Sequence, residues 1–130
     1  MKAFVVIGAG YGDEGKGLVT DYLTEKTGSR VVCRFNGGSQ AAHTVNRAGY
    51  RHVFNTMSSG SLAGADTYLS NQFIVNPYVL FDELVTMSKN WKLPRVYCHP
   101  NARVTTIFDM VINNILEMSR GDGRHGSCGL

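Results

Sequence analysis

Apolar positions change period several times along this chain, and each change marks an element. Residues 3–7 form a continuous apolar run that stops at Gly8, the pattern of a buried strand in a parallel sheet. Leu18, Val19, Tyr22 and Leu23 then recur at helical spacing between residues 16 and 27, and Gly28 follows where a C-terminal cap belongs. Residues 30–35 predict a second strand. The first 35 residues therefore read strand, glycine-rich loop, helix, strand, which is one βαβ unit.

A second small-residue loop, 36–42, leads into His43-Thr44-Val45. Residues 50–54 read as a strand, 58–64 as a loop, and 67–69 and 73–75 as short strands. Asn76-Pro77 is a helix start, with Asn as cap and Pro at the first helical position. That helix runs through Leu80, Leu84 and Met87 to about Lys89. Residues 95–98 predict another strand. Thr106 caps a last helix, with apolar Met110, Val111, Ile115, Leu116 and Met118, and Gly121 ends it. There is no internal repeat and no low-complexity tract. Alternating strands and helices predict an α/β fold.

The length of 130 residues suits one domain or a piece of one. The final Gly126-Ser127-Cys128-Gly129-Leu130 reads as a small-residue loop stopped midway, so residues 1–130 are expected to form a single, incomplete α/β domain. A hydrophobic fraction of 43% is that of a globular protein, and a net charge of +3 argues for neither a nucleic-acid nor a membrane partner. Charge placement says more. No acidic residue lies between Glu25 and Asp66, a stretch that holds Lys26, Arg30, Arg34, Arg47 and Arg51 with His43 and His52. Such a field suits a phosphorylated ligand; chance in a loop-rich region gives the same pattern. Cys33, Cys98 and Cys128 have no metal or disulfide spacing, and Cys33 reads as a buried thiol. No stretch is apolar enough to span a bilayer, and the first apolar run meets Gly8 too soon for a signal peptide. A cytoplasmic enzyme is the expectation.

The segment Gly10-Tyr11-Gly12-Asp13-Glu14-Gly15-Lys16-Gly17 fits two phosphate-binding patterns. Gly10, Gly12 and Gly15 match G-x-G-x-x-G, while Gly10, Gly15 and Lys16 match the start of G-x-x-x-x-G-K. Both use backbone N–H groups and a helix N-terminus to hold an anion. The dinucleotide reading lacks its acidic residue some 20 positions on, since the second strand ends Arg34-Phe35-Asn36; Arg34 leaves an NADP version open. The P-loop reading lacks the Ser or Thr that should hold Mg²⁺, because position 17 is Gly. Asp13 is the candidate to replace it. Asp13 and Glu14 would repel a phosphate unless a metal or a chemical task accounts for them. Asp13 could instead cap the helix. In an α/β sheet the loop ending at His43 would lie beside the first loop, so Asp13 and His43 could face one ligand as base and acid. Taken alone, His43 reads as a satisfied structural histidine.

Gly12-Asp13-Glu14-Gly15-Lys16-Gly17, followed by Asp21, resembles the G-D-E-G-K-G signature of the adenylosuccinate synthetases. Arg34-Phe35-Asn36-Gly37-Gly38 through Ala41-Ala42-His43-Thr44 resembles that family's R-x-x-G-G-x-N-A-G-H-T segment. Ser59-Gly60 and residues 69–77 match more weakly, and residues 125–129 are similar to the start of its G-T-T-G-R-G-I-G-P loop. The resemblance implies a P-loop-like nucleotide-binding fold with a largely parallel central sheet, of which this is the N-terminal part. It implies a ligase that phosphorylates the 6-oxygen of IMP with GTP and then joins L-aspartate there, giving adenylosuccinate. Mg²⁺ is the implied cofactor and a homodimer the implied assembly. By motif match, Asp13, His43 and Lys16 are catalytic: Asp13 takes the purine N1 proton, His43 acts as acid on the 6-oxygen and phosphoryl group, and Lys16 contacts that group. GTP falls to Gly12, Asp13, Glu14, Gly15, Lys16, Gly17, Leu18, Ala42, His43 and Thr44. The purine nucleotide falls to Asp13, Glu14, Gly15, Lys16, Gln40, Ala41, Ala42, His43 and Cys128. Mg²⁺ falls to Asp13 and the Ala42 carbonyl.

Several positions depart from the family pattern. Gln40 stands for Asn, Ala42 for Gly, Ser127-Cys128 for Thr-Thr, Leu130 for Arg, and Asn55 and Ser58 for His and Pro. A divergent viral branch of the family joins aspartate to dGMP and has a small residue at the position of Asp13. Asp13 therefore favours IMP, while Gln40 and Cys128 keep the dGMP reading open. A P-loop module without ligase chemistry would explain Gly10 to Lys16 but not the His43 loop. An NAD(P)-dependent oxidoreductase would explain the glycines but not Asp13 and Lys16. The 130 residues alone are expected to be inactive.

Overall fold

The computed structural model describes residues 2–35, 37–39 and 41–123. In chain order it has helix α1 (Lys16–Thr27), strands β1 (Val31–Arg34), β2 (His43–Arg47), β3 (Tyr50–Phe54), β4 (Asp66–Leu69) and β5 (Ile74–Val75), helix α2 (Pro77–Ser88), strands β6 (Val96–Cys98) and β7 (Arg103–Val104), and helix α3 (Ile107–Ser119). A 3-10 turn, Ser59–Ala63, joins β3 to β4. Strands β1, β4 and β6 form a parallel sheet in the order β1-β4-β6, with Val31 opposite Asp66 and Thr67 opposite Val96. The β5–β7 pair is parallel as well. The α/β class and the largely parallel sheet agree with the sequence pattern.

Helix boundaries follow local chemistry. Gly28 closes α1 with a left-handed φ of 62°, a conformation that costs a residue with a side chain far more. Asn76 caps α2, its side chain accepting the N–H groups of Tyr78 and Val79, and Pro77 takes the first helical position. At the start of α3, the Thr106 side chain accepts the Asp109 N–H and the Asp109 side chain accepts the Thr106 N–H, a capping box.

The residues at 43–45, which carried no predicted element, form one arm of an antiparallel hairpin. His43 pairs with Phe54 and Arg47 with Tyr50. Ala48 and Gly49 make the two-residue turn, both at positive φ, the twist that hairpin strands require. This hairpin supplies core side chains. Val45, Phe54, Met57, Leu62 and Met87 are buried together, with Leu80, Leu84 and Trp91 against them. A second cluster joins Leu69, Phe73 and Val75. Each of these larger side chains contributes about 1.5–3 kcal/mol by leaving water.

Four expectations need correction. Residues 2–9 form no strand, and Phe4, Val5 and Ile7 are exposed. A strand buried on both faces needs layers on both sides, and no described element covers this segment. The buried stripe of α1 is Gly17, Asp21 and Thr24, while the predicted Leu18, Val19 and Tyr22 are exposed. Arg47 from β2 reaches across to Asp21 at 2.9 Å and to Glu25 at 3.0 Å, so charge pairing and a small-residue seam orient this helix. Cys33 is exposed rather than buried, because β1 is an edge strand that, among the described residues, pairs with β4 alone. Along α3, Val111, Ile115, Leu116 and Met118 are all at least half exposed.

Candidate functional site

The glycine-rich loop runs directly into the first turn of α1. Gly15 is the N-cap, and no side chain caps the helix. Asp13 therefore has no capping role. It is exposed, sits at φ 55°, and is held by no hydrogen bond among the described residues. Asp tolerates the left-handed region better than most residues, through its short polar side chain.

Glu14 turns inward. One carboxylate oxygen accepts the N–H groups of Gly10 at 2.9 Å and Gly12 at 3.4 Å, and the other pairs with the Lys16 ammonium. Lys16, followed by the Gly10 N–H, holds the Glu14 carboxyl at a pKa of about 2. The loop thus already encloses one anion with amides and a cation, as a phosphate-binding nest does.

His43 opens β2 and lies over the second residue of α1. A Cβ built on Gly17 would stand 2.6 Å from the His43 Cβ, 3.0 Å from Cγ and 3.2 Å from Nδ1. A residue with any side chain at position 17 would collide with the histidine. This accounts for glycine where the P-loop pattern has Ser or Thr. Burial first, then the charges of Arg34 and Lys16, push the His43 imidazole below its ordinary pKa. Neutral imidazole is the resting form at neutral pH.

The second loop is held from behind. The buried Arg34 guanidinium donates to the carbonyls of Asn55, Met57 and Ala41 and stacks on Phe73 at 4.7 Å. Burial lowers its pKa to about 10, so it stays charged at neutral pH, and Glu83 opposes the fall. Ser39 and Thr56 share a hydrogen bond of 3.0 Å. Gly38 bridges to Ile74, extending the sheet into the loop.

Both loops face one cleft of about 730 Å³. Gly12, Glu14, Lys16, Gly17, Ala41 and His43 line it, along with Arg34, and residues 2–8 form one wall. Asp13, Gly15, Leu18, Ala42 and Thr44 lie outside that lining. Gln40 and Cys128 lie outside the described residues, as does the 125–129 segment. No cluster of three or more His, Cys, Asp or Glu side chains suited to a metal occurs among the described residues. Mg²⁺ at nucleotide sites takes one or two carboxylates and completes its shell with phosphate and water. The single unengaged carboxylate of Asp13 fits a metal that arrives with its phosphate. It does not fit a cage built only of protein ligands.

Sequence reasoning weighed Arg34 as a ribose-phosphate contact rather than as the anchor of the second loop, and it did not single out Glu83. Glu83 did leave a signal. It falls between Leu80, Leu84 and Met87, an acid within an apolar helical stripe, where a charge is rare unless paired.

A family model for adenylosuccinate synthetase matches residues 5–130. The adenylosuccinate synthetase of Acidothermus cellulolyticus is 36% identical over 131 residues, and that of Tropheryma whipplei (strain Twist) 35% over 131 residues; each match covers 99% of this chain. The chain spans 30% of the length of both relatives. Among solved structures, the fully ligated adenylosuccinate synthetase of Plasmodium falciparum superimposes with a TM-score of 0.73 at 27% identity, over 90% of this chain and 27% of that one. A cyanophage S-2L succinoaminodeoxyadenylate synthetase bound to dGMP and dATP gives a TM-score of 0.67 over 81% of this chain and 30% of that one. At 23% identity the latter likeness speaks to the fold alone. With the family model spanning nearly the whole sequence, and the two loops lying on one cleft, this chain belongs to the adenylosuccinate synthetase family of ligases.

Proposed function

We propose that this chain forms the phosphate-side part of a GTP-dependent ligase that joins L-aspartate to the 6-position of IMP. The observation that carries the reading is the seating of His43 on Gly17, beside a loop that already wraps an anion with amides and Lys16. A phosphoryl group held there lies within reach of both a cation and an imidazole. Phosphoryl transfer needs little else from a protein than positioning and charge stabilisation.

In this reading Asp13 accepts the proton from N1 of IMP, which makes the 6-oxygen the nucleophile. That oxygen bonds to the γ-phosphorus of GTP, and GDP leaves. The amino group of L-aspartate then bonds to C6, and inorganic phosphate leaves with the 6-oxygen, giving adenylosuccinate. Lys16 pairs with the transferred group. His43 rests neutral because burial and two cations disfavour its charge. An arriving phosphate reverses that field and favours imidazolium, so proton donation to the leaving oxygen becomes available once the ligand is bound. Asp13 would supply the protein carboxylate for Mg²⁺, which would neutralise phosphate charge when bound.

The test uses a full-length protein containing this chain, with GTP, Mg²⁺ and L-aspartate, and with IMP and dGMP as competing acceptors. Product mass decides. Adenylosuccinate supports the proposal. A succinylated 2-aminopurine deoxynucleotide assigns the acceptor as dGMP and makes Gln40 and Cys128 candidates for specificity. Neither product, with Asp13→Ala binding nucleotide like the parent, leaves a phosphate-binding fold without this chemistry. The 130 residues alone are expected to give no turnover.

A further inference from the structure

We propose that Glu83, on α2 and outside the cleft, is a positioning residue for the loop that carries Ala41 and His43. Hydrogen bonds lead from the helix to the loop. Glu83 is 4% exposed, and its carboxylate accepts three consecutive backbone N–H groups: Asn55 at 3.2 Å, Thr56 at 2.7 Å and Met57 at 3.2 Å. Arg34 takes the other side of the same turn, donating to the carbonyls of Asn55 and Met57. Residues 55–57 are thus clamped between a buried anion that fixes their amides and a buried cation that fixes their carbonyls. The same guanidinium reaches on to the Ala41 carbonyl at 3.3 Å, and Thr56 bonds Ser39 at 3.0 Å. The second loop hangs from this turn at two points.

Charge requires the pair as much as geometry does. Arg34 is 7% exposed, and Glu83 is the anion whose field opposes its desolvation. A buried charge stripped of its counter-ion is strongly unfavourable, so Arg34 cannot keep its seat unchanged once Glu83 is neutral. The first loop needs no such support, since Glu14 and Lys16 hold it internally. Loss of Glu83 should therefore loosen one wall of the cleft and leave the other in place. A supporting shell of this kind decides whether a catalytic group sits within reach or about 1 Å away.

The inference takes its catalytic meaning from the ligase reading, so its test carries a readout that does not depend on turnover. In the full-length protein, Glu83→Gln is compared with Asn76→Ala, which removes the cap of the same helix without touching the loop. Turnover and the hydrogen exchange of the Ala41 amide, which donates to the Gly38 carbonyl at 3.1 Å within the second loop, are measured well below both melting temperatures. Glu83→Gln should lower kcat by tenfold or more and speed Ala41 exchange by tenfold or more, as the loop loses its tether. Asn76→Ala should lower the melting temperature while leaving both readouts at the parental value. If Glu83→Gln matches Asn76→Ala in turnover and in Ala41 exchange, Glu83 is only a stability element and the proposal is overturned. If the parent makes no product, the ligase reading fails, and Ala41 exchange alone still decides the positioning claim. Should Glu83→Gln fail to fold, Thr56→Ala and Ser39→Ala test the same tether, each with a smaller shift in the same direction.

Discussion

Gly17→Ala is a one-carbon change that separates helix stability from site geometry. The new methyl would stand 2.6 Å from the His43 Cβ, where ordinary carbon contacts are about 3.5–4.0 Å. At least about 1 Å must open. The His43 Cβ is bonded to backbone, so rotating the ring cannot relieve the clash; the start of β2 or the first turn of α1 has to move. Alanine gains at most about 1 kcal/mol over glycine in helix propensity, while overpacking costs about 1–3 kcal/mol. The two nearly cancel, and the net change should be between about 0 and 2 kcal/mol destabilising. Function should not cancel. A displacement of about 1 Å at a catalytic group costs on the order of 100-fold in turnover. The assay is kcat and thermal melting of full-length parent and variant, with the His43 titration by NMR as a geometric readout. Gly17→Ser, which completes the P-loop pattern, should be at least as damaging as alanine. Turnover within twofold of the parent for Gly17→Ala, or tighter Mg²⁺ binding by Gly17→Ser, would refute the view that glycine is there to seat the histidine.

The other expectations follow from charge. Glu14→Gln removes the internal anion of the first loop, freeing Lys16 and the Gly10 and Gly12 amides, so inorganic phosphate should bind severalfold tighter by calorimetry; unchanged or weaker binding would show that Glu14 shapes the loop instead. The Glu14 pKa falls from 4.5 to about 2 in the fold, so its contribution to loop order is complete above about 4.5 and disappears as pH falls through about 2, which amide exchange of Gly10 can follow. His43 has a folded pKa below its ordinary 6.5, so its neutral form is the stabilising one, and stability should decline as pH drops below 6.5. Lys16→Met should raise the His43 pKa by NMR, and a fall would contradict the assigned cause. Asp13→Asn should leave stability within about 0.5 kcal/mol of the parent, since no hydrogen bond among the described residues holds the side chain, while turnover drops about 100- to 10,000-fold.

Local signals were legible wherever local chemistry decides structure. The caps at Gly28, Asn76 and Thr106 lie where the sequence places them, because a left-handed glycine or an accepting side chain fixes a helix end within a few bonds. The glycine-rich loop was legible in the same way, whereas its approach to His43 followed from the placement of loops in an α/β sheet and from the family resemblance. What required the fold was pairing at a distance. Nothing local says that His43–Arg47 joins Tyr50–Phe54 in a hairpin, since His43, Asn46 and Arg47 interrupt any apolar alternation. Nor does the period of α1 reveal that Asp21 and Thr24 face inward, because Asp21 is paired by Arg47, 26 residues on, and Thr24 packs against Gly60. Residues 3–7 and α3 show the converse. Their apolar pattern is strong, yet a pattern specifies a cover without supplying one, and no described element lies over them.

Three acids in this chain break a local rule, and how each is resolved separates support from chemistry. Glu14 sits in an anion-binding loop, and Lys16 with two amides satisfies it. Glu83 sits in an apolar stripe, and three amides and the charge of Arg34 satisfy it. Asp13 sits in the same loop as Glu14 at a left-handed φ, and no hydrogen bond among the described residues answers it. Repulsion left uncompensated among the described residues can be relieved by something bound. A metal ion or a ring proton would do so, and both arrive with a nucleotide. Glu14 lines the cleft and Glu83 braces the loop beside it; in the proposed function Asp13 is the acid left to act on what enters.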